Sequence, residues 1–212
     1  MEHKKGTILT IGISERKKDQ YVIIAYLEEK CSFVSFVTEK FYEDGKYLLD
    51  IGAKSKIIYK EVSNENIELT GDIVLSEYLE KEEFLDFLER KKTNFSAFKR
   101  NINYIYRIVK VKAIDSISVS NENGKVNCKI SFFADGSKDN KIIKDYRWIK
   151  YWQHVSSLNN SEFINERKNH YKEFFNNRDT YILLFRLKGN NNLQSRFKAK
   201  EDPYWIAGIY YK

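Results

Sequence analysis

The sequence predicts a mostly β protein with minor α content, arranged as two small β-barrels in tandem, and three observations carry that prediction. Short runs of apolar/polar alternation recur along the chain, the pattern of strands with one buried face. The aromatic content is high, with 15 Tyr and 14 Phe against a single Pro, and Tyr and Phe favour pleated surfaces. Helical periodicity is confined to two stretches, 76–92 and 162–175, one in each half of the chain. Many short strands, few helices and two halves of similar size fit barrels better than a layered α/β fold. Regular patterning lapses over 93–100, so the expected division is 1–99 and 100–212.

In chain order, 7–13 reads as a strand with Leu9, Ile11 and Ile13 on one face. The next strand, 20–27, is apolar on both faces and should be central. A third covers 33–37, a loop covers 40–46, and 47–51 with 56–62 make the next pair. Residues 67–75 are extended with a bend at Gly71-Asp72. The helix expected at 76–92 has Ser76 as a cap, acids early, Arg90, Lys91 and Lys92 late, and Leu79, Phe84, Leu85 and Leu88 as its buried stripe.

The clearest unit of all lies at 116–132. Ile117 and Val119 alternate with Ser116, Ser118 and Ser120, an Asn-Glu-Asn-Gly turn follows, and Val126, Cys128, Ile130 and Phe132 alternate with Lys125, Asn127, Lys129 and Ser131. A second turn, Ala134-Asp135-Gly136-Ser137, leads to a short strand at 141–146. On the upstream side, 105–112 alternates as well, so this is an antiparallel meander whose polar face carries Lys and Ser. After the second helix come an apolar strand at 180–187, a basic Gly/Asn-rich loop at 188–200 and a last strand at 204–211.

Charge is distributed unevenly. Residues 1–99 hold 16 Lys+Arg against 19 Asp+Glu, while 100–212 hold 21 against 11, within an overall net charge of +7. A basic half beside an acidic half points to a polyanionic partner for the basic one. Cys31 and Cys128 have no C-x-x-C and no metal spacing, and are read as reduced, packed thiols. The start, MEHKKG, carries no apolar run and no stretch approaches a membrane span, so the expected location is the cytoplasm.

Several landmarks occur in an order that resembles the dual OB-fold proteins associated with bacterial conflict and antiviral defence loci. Ser14, Arg16 and Lys17 after the first strand are similar to that family's Ser-Arg-Lys turn, and Leu48-Leu49-Asp50-Ile51 to its Leu-Leu-Asp-Ile strand. Glu65-Asn66, followed by Ile73-Val74 and the acidic helix, is similar to its middle segment, and Glu166-Arg167, 181–187 and Ile206-Ala207-Gly208-Ile209 resemble its final helix and hairpin. Asp19-Gln20-Tyr21 stands where the family often has Gly-Arg-Cys. The resemblance implies two OB-like barrels and a nucleic-acid-binding or sensing role, and brings no catalytic residue with it.

OB-folds bind single strands by stacking bases on aromatic rings and tracking phosphates with Lys and Arg. The basic half offers both: Tyr104 and Tyr106 with Lys110 and Lys112, Arg147, Lys150 and Trp152, and Arg186, Lys188, Arg196, Phe197, Lys198 and Lys200. Trp148 and Trp152 are four apart, which equally suits one buried helical face. The expected partner is single-stranded nucleic acid, RNA before DNA. An adaptor docking a defence effector is the rival reading, its aromatics serving a protein interface. A third is a Mg²⁺ nuclease built on Asp19, Glu28 and Lys30. His3, His154 and His170 lack metal spacing, and no phosphate-binding Gly loop or nucleophile elbow occurs, so no enzyme, cofactor or metal site is expected.

Overall fold

The computed structural model describes residues 2–17, 20–39, 42–43, 46–101, 103, 105–122, 125–186 and 204–212. Two units divide the chain, Met1–Phe87 and Leu88–Lys212.

The first unit is built around β1 (Lys4–Lys17), whose two ends pair with different strands. Lys4 to Leu9 pair with β6 (Ala53–Glu61), and Ile8 to Lys17 pair with β2 (Gln20–Leu27). A bulge between Thr10 and Gly12 shifts the alternation, so Ile8, Leu9, Ile11 and Ile13 are all buried. The sheet continues through β3 (Ser32–Thr38) on one side, with β7 (Ile67–Leu69) and β8 (Val74–Tyr78) against β6 on the other. Between β3 and β6 lies a two-residue pair, β4 (Tyr42–Glu43) with β5 (Lys46–Tyr47). A parallel bridge from Ser35 to Asn66 joins β3 to the segment entering β7, and the sheet nearly closes on itself. This is a partly open barrel of the OB type, its sheet built of six strands.

The second unit repeats that pairing scheme. β9 (Tyr106–Val111) and β10 (Ala113–Glu122) form one run interrupted at Lys112, whose N–H donates to Phe133 O at 2.8 Å. β9 pairs with β13 (Thr180–Arg186), while β10 pairs with β11 (Lys125–Ala134), which pairs with β12 (Ser137–Ile142). β14 (Tyr204–Tyr211) pairs with β13, and a parallel bridge from Ile143 to Ile206 links the third strand to the last. Phe95, Phe98, Cys128, Ile130, Phe132, Trp152, Ile182, Leu184 and Ile206 fill this barrel. Asp135 and Gly136 take positive φ angles of 47° and 74° in the β11–β12 turn, as the Asp-Gly pair predicts.

Four expectations need correction. The helix expected at 76–92 is split: β8 pairs with Ala53 to Lys56, and α1 begins only at Lys81 (Lys81–Lys91). Sheet pairing overrides the Ser76 cap; Glu83 Oε2 instead accepts from Glu80 N at 3.3 Å, half of a capping box. Residues 93–100 are no linker, because α2 (Phe95–Arg100) drives Phe95 and Phe98 fully into the second core, which moves the division upstream to 87/88. Residues 48–51 form a turn rather than a strand, with Leu48 and Leu49 buried and Ser55 Oγ donating to Leu48 O at 2.6 Å. The strand expected at 141–146 stops at Ile142, and α3 (Tyr146–Ser157) follows. Asp145 caps it, its carboxylate accepting from Arg147 N at 2.9 Å and Trp148 N at 3.4 Å. The helix expected at 162–175 is present as α4 (Ser161–Asn176).

Candidate nucleic-acid interface

The meander β10–β11–β12 presents one face to the core and one outward. Ile117, Val126, Cys128, Ile130 and Phe132 turn in. Across the strands, the rows on the other face are Ser116–Ser131–Asn140, with Ser131 itself buried, and Ser118–Lys129–Ile142, flanked by Phe133–Lys138 at one end and Glu122–Lys125 at the other. Ile143 N donates to Cys128 O at 2.9 Å, which carries the register on by one pair. Lys144 follows just past the end of β12, its N–H donating to Ile206 O at 2.7 Å and its ammonium close enough to feel that of Lys125.

Ammonium groups in the first unit are paired in part, Lys5, Lys56 and Lys60 having no ion pair among the described residues. There, Lys4 and Lys30 both bridge to Glu61, at 2.9 and 3.2 Å, and Lys54 bridges to Glu28 and Glu77. On the meander, Lys138 pairs with Asp115 at 2.7 Å and lies 5.5 Å from the Phe133 ring centre. Among the described residues, Lys125, Lys129 and Lys144 have no carboxylate partner. Lys144 is half-buried, and that burial, with Lys125 nearby, pushes its pKa below the ordinary lysine value. Serine hydroxyls and the amides of Asn127 and Asn140 complete a surface of donors. Such a face can receive phosphates and hydroxyls.

The residues singled out in the sequence fare unevenly. Tyr106 is 3% exposed and stacks on Phe185, ring centres 5.3 Å apart, so no base can reach its face. Trp152 is fully buried in the core. Arg186 is 4% exposed; its guanidinium donates to Asn101 O at 2.8 Å and Phe98 O at 3.0 Å, and lies 4.2 Å from the Phe98 ring centre. These three hold the fold and cannot touch a ligand. Lys110 is paired with Asp179 at 2.9 Å, and Arg147 with Asp145 at 3.1 Å. Lys112 and Lys150 are exposed, with Lys150 5.3 Å from the Tyr146 ring centre. Tyr104, Lys188, Arg196, Phe197, Lys198 and Lys200 lie outside the described residues; the last five fall in the chain joining β13 to β14. The lysines of the meander face, Lys125, Lys129, Lys138 and Lys144, were not among the residues singled out from the sequence. Alternation of Lys125, Asn127 and Lys129 with the apolar set was the signal for the first two.

Glu28 and Lys30 are drawn to different partners, Lys54 at 3.4 Å and Glu61 at 3.2 Å, and Asp19 lies outside the described residues. Among the described residues no three His, Cys, Asp or Glu side chains gather, and no helix is long and apolar enough to cross a membrane.

No family model matches the chain, and no curated protein does. Among solved structures, the chain is similar to the Ifi202 HINa domain in complex with 20-bp duplex DNA, at 12% identity and a TM-score of 0.42, over 99% of this chain and 95% of that one. It is also similar to a murine DNA-binding protein bound with duplex DNA, at 12% identity and a TM-score of 0.39, over 100% of this chain and 95% of that one.

Proposed function

We propose that the protein binds nucleic acid through the outer face of β10–β11–β12, single strands before duplexes and RNA before DNA. The observation that carries this reading is the set of lysines without carboxylate partners, Lys125, Lys129 and Lys144, spread over the face with Lys138. An anionic backbone laid there replaces water and counterions around cations that have no internal partner, and counterion release drives the association. In an OB barrel the second and third strands form the ligand-binding face, and β11 and β12 occupy those places here. Serine and asparagine donors suit phosphate oxygens and 2′-hydroxyls, which favours RNA. Phe133 offers a ring beside Lys138 for one stacked base. With Tyr106 and Trp152 buried, phosphate pairing outweighs stacking, and binding depends steeply on salt. Membership in the dual OB-fold family of defence loci is proposed with this reading.

The test is fluorescence anisotropy with a labelled 15-mer RNA, the same DNA strand and its duplex, at several salt concentrations. Replacing Lys125, Lys129 and Lys144 together by Ala is expected to flatten the log–log salt slope on a single strand, by about 0.7 for each phosphate that no longer meets a lysine. Equal affinity for duplex and single strand removes the single-strand preference. If no probe binds even at low salt, the face is only a solvated surface and the adaptor reading takes its place.

A further inference from the structure

The barrel of the first unit is laced at one point along the seam between β3 and β7. Ser35 N donates to Glu65 O at 2.8 Å, Ser35 Oγ donates to Asn66 Oδ1 at 2.9 Å, and the pair forms an isolated parallel bridge. Backbone polar groups alternate sides along a strand. Those of Ser35 point into the seam, so those of Val37, two residues on, point the same way. On the opposite flank, Val62 N donates to Asn66 O at 3.0 Å and Thr70 N to Ile58 O at 2.9 Å. Residues 66 and 70 therefore face β6, and the backbone of Leu69 faces the seam.

Beyond the Ser35 bridge the two flanks separate. A groove of about 520 Å³ opens between them, lined by Val37, Thr38 and Glu39 on one side and Leu69, Thr70 and Asp72 among those on the other. Val37 is 44% exposed, a large apolar side chain at the lip of an unfinished ladder. Such an edge is a template for another strand.

We propose that this seam accepts an extended, basic segment of another polypeptide as an added strand. The outward N–H and C=O of Val37 and Leu69 supply the ladder bonds that give affinity in strand addition. A strand advances about 3.3 Å per residue, so the span from Val37 to Glu39 engages about three residues of the guest. Val37 and Glu39 are two apart and both turn outward, so on that face the guest sets an apolar side chain against Val37 and a cationic one two residues away. Glu39 and Asp72 line the groove, and Glu68 is exposed on β7. Residues 1–87 hold 12 Lys+Arg against 18 Asp+Glu, which selects a cationic guest and repels nucleic acid.

Residue-resolved amide hydrogen exchange on the full chain tests this. The probe is the acetylated, amidated peptide Thr-Lys-Thr-Val-Thr-Lys-Thr (the Val/Lys peptide), which carries Lys and Val on one face, and the same peptide with Glu for Lys (the Val/Glu peptide) is the control. In the free protein the amides of Val37 and Leu69 are expected to exchange at least about tenfold faster than that of Phe36, which faces β2. Saturating Val/Lys peptide should slow both by about tenfold, and Glu39→Lys should weaken peptide binding by a similar factor with Tm unchanged. The proposal is overturned if Val37 and Leu69 are already as protected as Phe36 without peptide. It is equally overturned if about 1 mM Val/Lys peptide slows neither amide, or if the Val/Glu peptide acts alike.

Discussion

Lys144 shows how one side chain ties stability to binding. Burial disfavours its charged form, so its folded pKa lies below the ordinary 10.5. At neutral pH the lysine is charged and that charge opposes folding; the penalty lifts as pH rises through the folded pKa and is gone above the unfolded one. Lys144→Gln is therefore expected to raise Tm at pH 7, to leave it unchanged above about pH 11, and to weaken RNA binding. Thermal melts at the two pH values, with anisotropy alongside, check this; a lower Tm at pH 7 would show that the ammonium has an internal partner. Arg186 behaves oppositely. Its guanidinium satisfies two buried carbonyls between the rings of Phe98 and Tyr204, so Arg186→Ala should cost about 3 kcal/mol in urea unfolding. The salt slope of the folded fraction should not move. The alternation of 105–112 was legible as a strand, but alternation separates two faces without saying whether the second is covered. Tyr106 reads as exposed for that reason, although Phe185, itself from a strand distant in sequence, lies flat against it.

At the scale of elements, β2, β13 and β14 lie where alternation and apolar runs place them, because burial of a pleated face decides them locally. Elements settled by distant partners were less legible. Residues 76–78 carry a good helix start, yet pairing with β6 makes them part of β8. The Trp148–Trp152 spacing suits a helical face, but α3 begins where a strand was expected to run on to Tyr146, and its start depends on one buried side chain. Asp145 accepts two backbone N–H groups and an Arg147 ion pair. Asp145→Ala is expected to lower stability by about 1–2 kcal/mol, measured by denaturant titration, and to loosen the Trp148–Trp152 packing seen in near-ultraviolet circular dichroism. Asp145→Asn should restore most of the loss, since an Asn side chain also caps.

Across the whole chain, two barrels share one pairing scheme and differ in what their faces carry. The sequence shows no repeat because a strand order is kept by buried patterns, and these tolerate wholesale change of residues. In the second unit the β11–β12 face is polar and basic; in the first, the equivalent face around Ile24 and Tyr26 is apolar, with Phe87 of α1 packed edge-on to the Tyr26 ring. All three tryptophans, Trp148, Trp152 and Trp205, belong to the second unit. Intrinsic fluorescence is therefore expected to change on titration with RNA and to stay constant on titration with the Val/Lys peptide. A fluorescence response to the peptide would show that the second unit senses it.

The division of one strand between two partners also governs how the chain reaches this state. β10 meets β11 across two residues, Glu122 to Lys125, whereas β9 must wait for β13, with Val109 finding Ile182. Loop closure over such a span is slow compared with hairpin formation. During synthesis the meander can form while β13 is still unmade, leaving the barrel interior open along one side. Residues such as Phe98 and Trp152 then have a wall missing for as long as translation takes to supply 180–186. That interval, rather than the finished fold, is when this protein is most exposed to aggregation.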